Sequence, residues 1–302
     1  MIRPLGEADL PRVVHLCERE LECDRDPGEI PRLLMRREVL GYAAVREESV
    51  VGFLLGSTRQ RRPVDGSIDL LVVDRTARRR GIARALVAAA EHEFAALGCE
   101  HITVQGNPPY YVWPGIDISY TPAICFFEDL GYTRGRALVD MEVDLHAVPL
   151  DTEEEEERLR SRGIEIRRAV PEDRDVLHDW VATGAGWPAV WAAEVVIPMD
   201  EGRGSCHVAL TDGKPIAFCA HGINQRHVVG PMATALEARG MGIGMLLMKR
   251  CLAEQRELGL RSSTLGWAGP LSLYSDKLDA LITRCYWQYT KPLGEGNAHG
   301  DV

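Results

Sequence analysis

Apolar and polar positions change their spacing several times along the first half of the chain, and each change marks a new element. Apolar runs at 42–45 and 50–55 flank a short polar turn, which predicts a β-hairpin. Residues 68–73 are rich in β-branched side chains and predict a further strand. After Gly81, apolar residues recur at steps of three and four, which predicts an amphipathic helix, and a strand at 101–105 follows.

The second half repeats this order of elements. Residues 206–210 and 215–223 predict a hairpin around an Asp-Gly turn, a sequence that readily supplies the positive φ of a tight turn. A strand at 228–234 comes next, then an amphipathic helix after Gly242, then a strand at 262–265. Each half therefore has the same predicted succession of strands and helices.

Two local matches support a duplication. Segment 2–10 resembles 166–174 at an offset of 164 residues, and 78–83 resembles 239–244 at an offset of 161. Two similar offsets indicate a repeated domain. In each half an acidic turn can cap the free amides of the helix that follows it. These two helices are predicted near 9–20 and 172–182.

We predict an α+β fold with two tandem domains, each a mixed, mostly antiparallel sheet flanked by helices. The chain length of 302 residues agrees with two domains. The predicted ranges are an N-terminal domain at 1–147, an acidic linker at 148–163, a C-terminal domain at 164–295 and a tail at 296–302. The linker contains Asp151 and the run Glu153 to Glu157, whose like charges favour a solvated segment that could begin with a short helix.

Composition narrows the range of partners. The net charge of −10 argues against nucleic acid, because such binding needs a basic surface. No apolar stretch approaches the ~20 residues that a membrane-spanning helix needs, and the first residues lack the features of a signal peptide. The eight cysteines are scattered without a C-x-x-C pair, which favours buried thiols over a disulfide framework or a metal site. We expect a cytoplasmic protein without a metal.

One motif carries chemistry in both halves. The pattern Arg-x-x-Gly-x-Gly/Ala stands between a strand and a helix at 78–83 and again at 239–244. Glycines let the backbone approach a ligand, and the free amides and dipole of the helix start favour an anion. The motif therefore predicts a pyrophosphate-binding turn in each half. Arg79, Arg80 and Arg84 add positive charge to the turn of the first half. A single glycine pair beside arginines is also common in ordinary helix-opening turns. The phosphate-binding interpretation is favoured because the motif occurs twice in the same strand–turn–helix context.

These residues resemble the GNAT superfamily of acetyl-CoA-dependent N-acetyltransferases, whose signature Gln/Arg-x-x-Gly-x-Gly/Ala opens a long helix. The resemblance implies that the turn binds the CoA pyrophosphate and that the preceding, splayed strand offers backbone groups to the acetyl-pantetheine arm. The turn residues are Arg78, Arg79, Arg80, Gly81, Ile82, Ala83 and Arg84, and Arg239, Gly240, Met241, Gly242, Ile243 and Gly244. The strand residues are Leu71, Val72 and Val73, and Met232, Ala233 and Thr234.

The resemblance also implies a tyrosine on the last helix, acting as general acid toward the departing CoA thiolate. In the first half Phe127 occupies that place, and a phenyl ring cannot donate a proton. In the second half Tyr274 stands there, although Asp279-Ala280 departs from the Gly-Phe ending of the family. This favours the second half as the catalytic one without excluding the first.

Acetyl transfer also needs a proton acceptor, because an amine is nucleophilic only when neutral. His227, at the start of the splayed strand of the second half, is the predicted base, since imidazole titrates near neutral pH. The alternative to a catalytic role for His227 is a surface histidine at a strand end. The alternative for Tyr274 is an aromatic side chain packed in the core. In the first half Asp65 and Asp69 could act as bases, but we expect them to face solvent.

An aromatic, proline-rich loop after the strand at 101–105 predicts an acceptor-binding lip, since such a loop is good pocket lining. Its predicted members are Tyr110, Tyr111 and Trp113, with Trp267 at the same place in the second half. Such loops also stabilise domain contacts.

The leading hypothesis is an N-acyltransferase that uses acetyl-CoA or a short acyl-CoA and a small-molecule amine, with one half possibly degenerate. Two alternatives stay open at this stage. The protein could bind acyl-CoA as a non-catalytic scaffold, or it could acetylate lysine side chains or N-termini of proteins, which would require a groove for an extended chain.

Overall fold

A computed structural model describes residues 1–59 and 64–293, which form two compact units. The first unit comprises residues 1–138 together with the segment that begins at Cys285, and the second comprises residues 139–284. The predicted tail at 296–302 lies outside the described residues.

The elements follow the predicted order in both halves. The helices are α1 (Leu10–Glu20), α2 (Glu29–Leu34), α3 (Ile82–Ala96), α4 (Thr121–Asp129), α5 (Glu153–Arg160), α6 (Arg174–Thr183), α7 (Trp191–Val195), α8 (Ile197–Glu201), α9 (Ile243–Glu257) and α10 (Leu271–Leu278). The strands are β1 (Ile2–Pro4), β2 (Leu40–Arg46), β3 (Ser49–Arg59), β4 (Asp65–Val73), β5 (His101–Val104), β6 (Ile116–Asp117), β7 (Thr133–Asp144), β8 (Ile164–Arg168), β9 (Ser205–Thr211), β10 (Lys214–His221), β11 (Val228–Thr234), β12 (Ser262–Leu265) and β13 (Leu281–Pro292).

Each unit contains a sheet of the same design. In the first unit the strands run in the order β1-β2-β3-β4-β5-β13, and in the second they run β8-β9-β10-β11-β12-β7. The pairs β4–β5 and β11–β12 are parallel. The other neighbours are antiparallel. The predicted class, a mixed and mostly antiparallel sheet with helices in each of two domains, is confirmed.

The last strand of each sheet comes from the opposite half of the sequence. Strand β13 pairs with β5 in the first unit, through Thr290 opposite Thr103. Strand β7 pairs with β12 in the second unit, through Met141 opposite Leu265. The compact units therefore differ from the continuous ranges 1–147 and 164–295, because apolar alternation reveals a strand but not its partner. We keep those ranges as a prediction of where the duplicated sequence units lie.

One long helix covers each sheet on its apolar side. In the first unit α3 buries Leu86, Ala90 and Phe94 against the sheet, at the helical spacing that the sequence shows. In the second unit α9 contributes a comparable buried stripe that includes Leu247 and Cys251. Each helix begins directly after a glycine turn, so the core fixes the position of that turn.

The acidic segment forms a short helix, as its sequence allowed, but it is not wholly solvated. It forms helix α5, and Leu159 is fully buried in the core of the second unit. Glu155 accepts a hydrogen bond from Lys249 at 3.0 Å, and Glu156 accepts one from Arg250 at 2.7 Å. The prediction of a solvated linker is therefore wrong for this stretch, because one apolar residue and two matched cations on α9 anchor a helix that is otherwise highly charged.

Across the part of the chain that the structure describes, no helix has the length and apolar character needed to cross a bilayer.

Candidate functional site

The turn between β4 and α3 has the backbone of an anion site. Arg79 and Gly81 adopt left-handed conformations, with φ of 62° and 76°. A Cβ built on Gly81 would meet no heavy atom within 4 Å, so the space in front of this residue is open. The first amides of a helix lack acceptors within the helix. The turn can therefore present its amides to a ligand.

The turn between β11 and α9 repeats this backbone. Gly240 and Gly242 have φ of 79° and 83°, two residues apart as in the first turn. Its surroundings differ, because Arg158 of α5 donates a hydrogen bond from Nη2 to the carbonyl of Met241 at 3.2 Å. The same Nη2 would lie 3.7 Å from a Cβ on Gly242. A cation from outside the motif thus stands at the second turn.

The arginines of the first motif divide into two groups. Arg78 donates from Nε to the carbonyl of Val73 at 3.0 Å and from Nη2 to the buried carboxylate of Glu20 at 2.5 Å. It braces the turn against α1. Arg79, Arg80 and Arg84 are exposed at the start of α3.

Arg239 takes the same bracing position in the second motif. Its Nε donates to the carbonyl of Thr234 at 3.3 Å, five residues earlier, as Arg78 does to Val73. Exposed positive charge therefore concentrates at the first turn. Besides Arg78, that turn has the exposed residues Arg79, Arg80 and Arg84, whereas the second motif contains Arg239 alone.

Both motifs follow a strand that separates from its parallel neighbour. The pairing of β4 with β5 ends at Ile68 opposite Val104, and that of β11 with β12 ends at Val229 opposite Leu265. Beyond these points the strand residues named in the sequence analysis pair on the other side only, with β3 or β10, among the described residues. The splay that the resemblance implies is present in both units, and the contacts of these residues with a cofactor stay a prediction.

A register shift near the first splay produces a buried carboxylate. Between the pairs Leu55–Leu70 and Gly56–Ile68, Asp69 is the extra residue of β4. Asp69 is 3% exposed, so the expectation that it faces solvent is wrong.

Donors surround Asp69. It accepts hydrogen bonds from Ser57 at 2.5 Å and Ser67 at 2.8 Å, and Nη2 of Arg37 lies 2.9 Å from its Oδ2. Burial raises the pKa of the Asp69 carboxyl, while Arg37 and the two hydroxyls oppose the shift. Asp65, the other candidate acid of the first half, is partly buried, with Oδ1 3.8 Å from Nδ1 of His101.

Tyr274 lies on α10 at the splayed strand of the second unit. Its side chain is buried in the core cluster, and its hydroxyl donates to Sδ of Met232 at 3.5 Å. Burial, with a smaller contribution from Cys219, raises the pKa of Tyr274 to about 12. The phenol therefore keeps its proton at neutral pH. In the first unit Phe127 is buried against Tyr132, with ring centroids 5.0 Å apart.

His227 stands at the paired end of β11, before the splay. It is 8% exposed, so the alternative of a surface histidine is wrong. Its carbonyl accepts hydrogen bonds from the Thr264 amide at 2.7 Å and from the Ser263 hydroxyl at 3.3 Å. The structure places it at the start of the strand as expected, two residues before the pairing with β12 ends at Val229, and its role as a base stays a prediction.

The aromatic loop of the first unit is only partly available to a ligand. Trp113 is 3% exposed, and its Nε1 donates to Oδ1 of Asp24 at 2.8 Å. This side chain anchors the loop and does not form an open lip. Tyr110 and Tyr111 are half-buried, as is Trp267, whose amide donates to Asp140 at 2.8 Å. The binding roles of these three stay predictions.

Sequence reasoning missed Glu194 on α7. Its side chain is buried, and its Oε1 has no hydrogen-bond partner among the described residues. Burial alone raises the pKa of the Glu194 carboxyl to about 8. A signal was present, since Glu194 is the only charged residue between Trp187 and Met199.

Comparison with known proteins agrees with this arrangement. The model of the acetyltransferase (GNAT) family matches residues 10–111 and 174–269, one match in each half. A comparison with curated protein sequences finds no match.

Solved structures with a similar fold include three described by their function or family. A fungal multi-domain β-N-acetylglucosaminidase, described as having a glucosamine N-acetyltransferase region, matches with a TM-score of 0.78 and 18% identity over 96% of this chain and 38% of that one. A tandem GNAT protein from the clavulanic acid biosynthesis pathway matches at 0.70 and 17%, over 98% of this chain and 99% of that one. A GCN5-related N-acetyltransferase from Sphaerobacter thermophilus matches at 0.68 and 20%, over 98% and 96%. At these identities the likeness establishes the fold.

Proposed function

The chain belongs to the GNAT acetyltransferase family, and from that premise we propose that it transfers the acetyl group of acetyl-CoA to the amine of a small molecule, with the chemistry in the second unit. The family uses acetyl-CoA as donor. The proposal has two parts that the family alone does not supply, the kind of acceptor and the unit that reacts.

The residues of both turns fit the donor. The open space at Gly81, the paired left-handed residues and the unsatisfied helix amides suit a diphosphate. Acetyl-CoA supplies the activated thioester that an amine attacks. Met232, Ala233 and Thr234 pair on one side only among the described residues, which supports a role in holding the pantetheine arm.

The observation that carries the assignment of the second unit is the position of Tyr274. Its hydroxyl lies 3.5 Å from Sδ of Met232 on the splayed strand, and its pKa keeps it protonated. The sulfur of CoA leaves the thioester more readily when a proton is supplied to it. Phe127, which the family resemblance assigns to the tyrosine position of the first half, has no acidic proton to give.

In this mechanism Tyr274 donates its proton to the departing sulfur. His227 is the base that the sequence predicts for the acceptor amine. The splayed strand could offer backbone amides to the thioester oxygen when the donor is bound, and such amides stabilise developing negative charge without reorganising.

Substitution Tyr274→Phe tests the assignment. We expect a loss of turnover of about 10²–10⁴-fold with little change in the affinity for acetyl-CoA, because proton donation contributes on that scale. Release of free thiol from acetyl-CoA, measured across amines, amino sugars and a lysine-containing peptide, reads out both the activity and the acceptor class.

The matched control is Tyr132→Phe in the first unit, which removes another buried hydroxyl, one that donates to Glu91 at 2.9 Å. This variant should retain turnover. Equal losses in both variants, or full activity of Tyr274→Phe, would contradict the assignment. Thiol release with the peptide alone would move the acceptor class from small molecules to proteins.

A second role is supported for the first unit, namely binding of CoA without chemistry. Phe127 lacks a proton, and Asp69 is committed to Arg37 and two serines. The open turn with its exposed arginines remains suited to a diphosphate. One unit would then react while the other only binds.

A further inference from the structure

Helix α5 brings a cation to the glycine turn of the second unit from outside the motif. Nη2 of Arg158 donates to the carbonyl of Met241 at 3.2 Å and would lie 3.7 Å from a Cβ on Gly242. At the turn of the first unit, a Cβ on Gly81 would meet no heavy atom within 4 Å. The two turns therefore share a backbone conformation but differ in the side chain that lies beside it.

The second motif lacks most of the cations of the first. Three positions that carry arginine in the first motif have no charge in the second. They are Gly240, Met241 and Met245, which correspond to Arg79, Arg80 and Arg84 at the offset of 161 residues. The dipole of a helix start alone attracts an anion only modestly, and salt screens that attraction. A diphosphate at the second turn would therefore gain from a cation supplied by another part of the chain.

The fold fixes α5 against α9, the helix that begins at this turn. Two ion pairs join the helices, and they are Glu155–Lys249 at 3.0 Å and Glu156–Arg250 at 2.7 Å. Leu159, the residue after Arg158, is fully buried in the core of the second unit. The carboxylates of α5 that meet α9 are therefore paired with cations, and a docked helix sets the position of Arg158.

Arg158 retains most of its capacity to bind an anion. A guanidinium has five N–H donors in a planar fork that matches the oxygens of a phosphate. In the described part of the chain, the Arg158 guanidinium makes one hydrogen bond, to Met241, and no ion pair. Its side chain is also exposed. In the first unit, by contrast, Arg78 is paired with the buried carboxylate of Glu20.

We propose that Arg158 binds the diphosphate of CoA in the second unit, so that the acidic helix α5 supplies the cation that the second motif lacks. This inference rests on the proposed function, because it concerns the donor site of the unit to which we assign the chemistry. The charged segment between the two halves is then part of a binding site as well as a connection.

A role limited to bracing the turn predicts a different behaviour. A brace acts through the hydrogen bond to the Met241 carbonyl, and its effect on CoA affinity should not depend on ionic strength. A guanidinium that pairs with the diphosphate acts through charge, and salt screens an exposed ion pair. The salt dependence of CoA affinity therefore separates the two roles.

Isothermal titration with CoA in full-length variants tests the proposal. The chain carries Gly81→Glu, so that the second turn is measured. Arg158→Gln should then weaken CoA binding about tenfold at low salt, because hydrogen bonds between ionised partners contribute on that scale. Arg158→Lys keeps the charge but not the planar fork, and it should lose less than Arg158→Gln. The loss in Arg158→Gln should shrink as potassium chloride is added.

The matched control is Arg160→Gln, which removes another exposed arginine from the same helix and should not alter CoA binding. In a chain that carries Gly242→Glu in place of Gly81→Glu, Arg158→Gln should also have no effect. The proposal is overturned by equal affinities in Arg158→Gln and Arg160→Gln, by a loss that salt does not reduce, or by an equal loss in the Gly242→Glu chain.

These results are distinguishable from a failure of the proposed function. Unaltered CoA affinity in Arg158→Gln, with Tyr274→Phe still inactive, overturns this inference and leaves the proposed function intact. Absence of thiol release with every acceptor overturns the proposed function, while the titrations still decide whether Arg158 binds CoA. Absence of CoA binding in the Gly81→Glu chain overturns both.

Discussion

At the scale of single residues, the two halves differ in which buried carboxyl has partners. Asp69 is held by Arg37, Ser57 and Ser67, whereas Glu194 has no donor among the described residues. Neither state is evident from the sequence, because burial and pairing depend on what the fold places beside a side chain. The isolated charge at Glu194 in an apolar stretch was a usable signal, while Asp69 resembled an ordinary acid on a strand.

The pKa of Glu194 predicts a pH effect on stability. Its folded-state value of about 8 lies above the unfolded value, so the folded protein binds more protons between these values and stability falls as pH rises. Relative to Glu194→Gln, the free energy of unfolding of the wild type should decrease from near pH 5 to pH 8, by up to about 5 kcal/mol, and then level off.

Urea denaturation of both proteins at pH 5, 6, 7, 8 and 9 measures this difference, and comparing the two cancels the contribution of other titrating groups. A constant difference across the range would show that Glu194 titrates normally in the folded state.

At the scale of elements, the helices and strands around each glycine turn were predictable. The helical spacing after Gly81 and Gly242 and the strand before each turn reflect local patterns that survive in the fold. The packing of the acidic segment was not predictable, because its six like charges obscured the effect of Leu159. The cations that pair with it lie about 90 residues further along the chain. The sequence predicts Trp113 as pocket lining because it does not reveal the hydrogen bond from Trp113 to Asp24.

The duplicated turns predict two CoA molecules per chain, because both have the same backbone. Substitutions Gly81→Glu and Gly242→Glu each place a carboxylate at a turn that we expect to bind an anion. Each should weaken the affinity of its own site for CoA at least tenfold. Gly242→Glu should also abolish turnover, whereas Gly81→Glu should not.

Isothermal titration with CoA gives the stoichiometry. Because a side chain at positive φ is strained whatever its charge, Gly81→Gln and Gly242→Gln separate strain from repulsion. Two sites remaining in either glutamate variant would show that the turn does not hold the diphosphate.

At the scale of the whole molecule, each compact unit includes a strand from the far half of the sequence. The segment after Cys285 brings Tyr286 and Tyr289 into the first unit, where both are fully buried. Tyr289 also donates from its hydroxyl to Glu128 at 2.8 Å. The two units and their order of elements were predictable. The pairing of β13 and β7 with strands of the opposite half was not, because local sequence patterns do not show which distant strands pair.

Substitution Tyr289→Ala should therefore destabilise the first unit by about 3–5 kcal/mol, the usual cost of removing a large buried aromatic side chain. Hydrogen exchange of the β4 and β5 amides measures the effect where it is expected. Thr290→Ala, at an exposed position of the same strand, is the control. Faster exchange confined to residues 139–284 would contradict the assignment of this strand.

The pairing of β5 with a strand from the far half of the sequence also has a consequence during synthesis on the ribosome. The edge of β5 that β13 will cover is made nearly two hundred residues before its partner. An unpaired strand edge is a site of aggregation, so the sheet of the nascent first unit stays open at β5 until β13 has been made. A ribosome that stalls before residue 285 would release a chain whose earliest-made part still lacks its final strand.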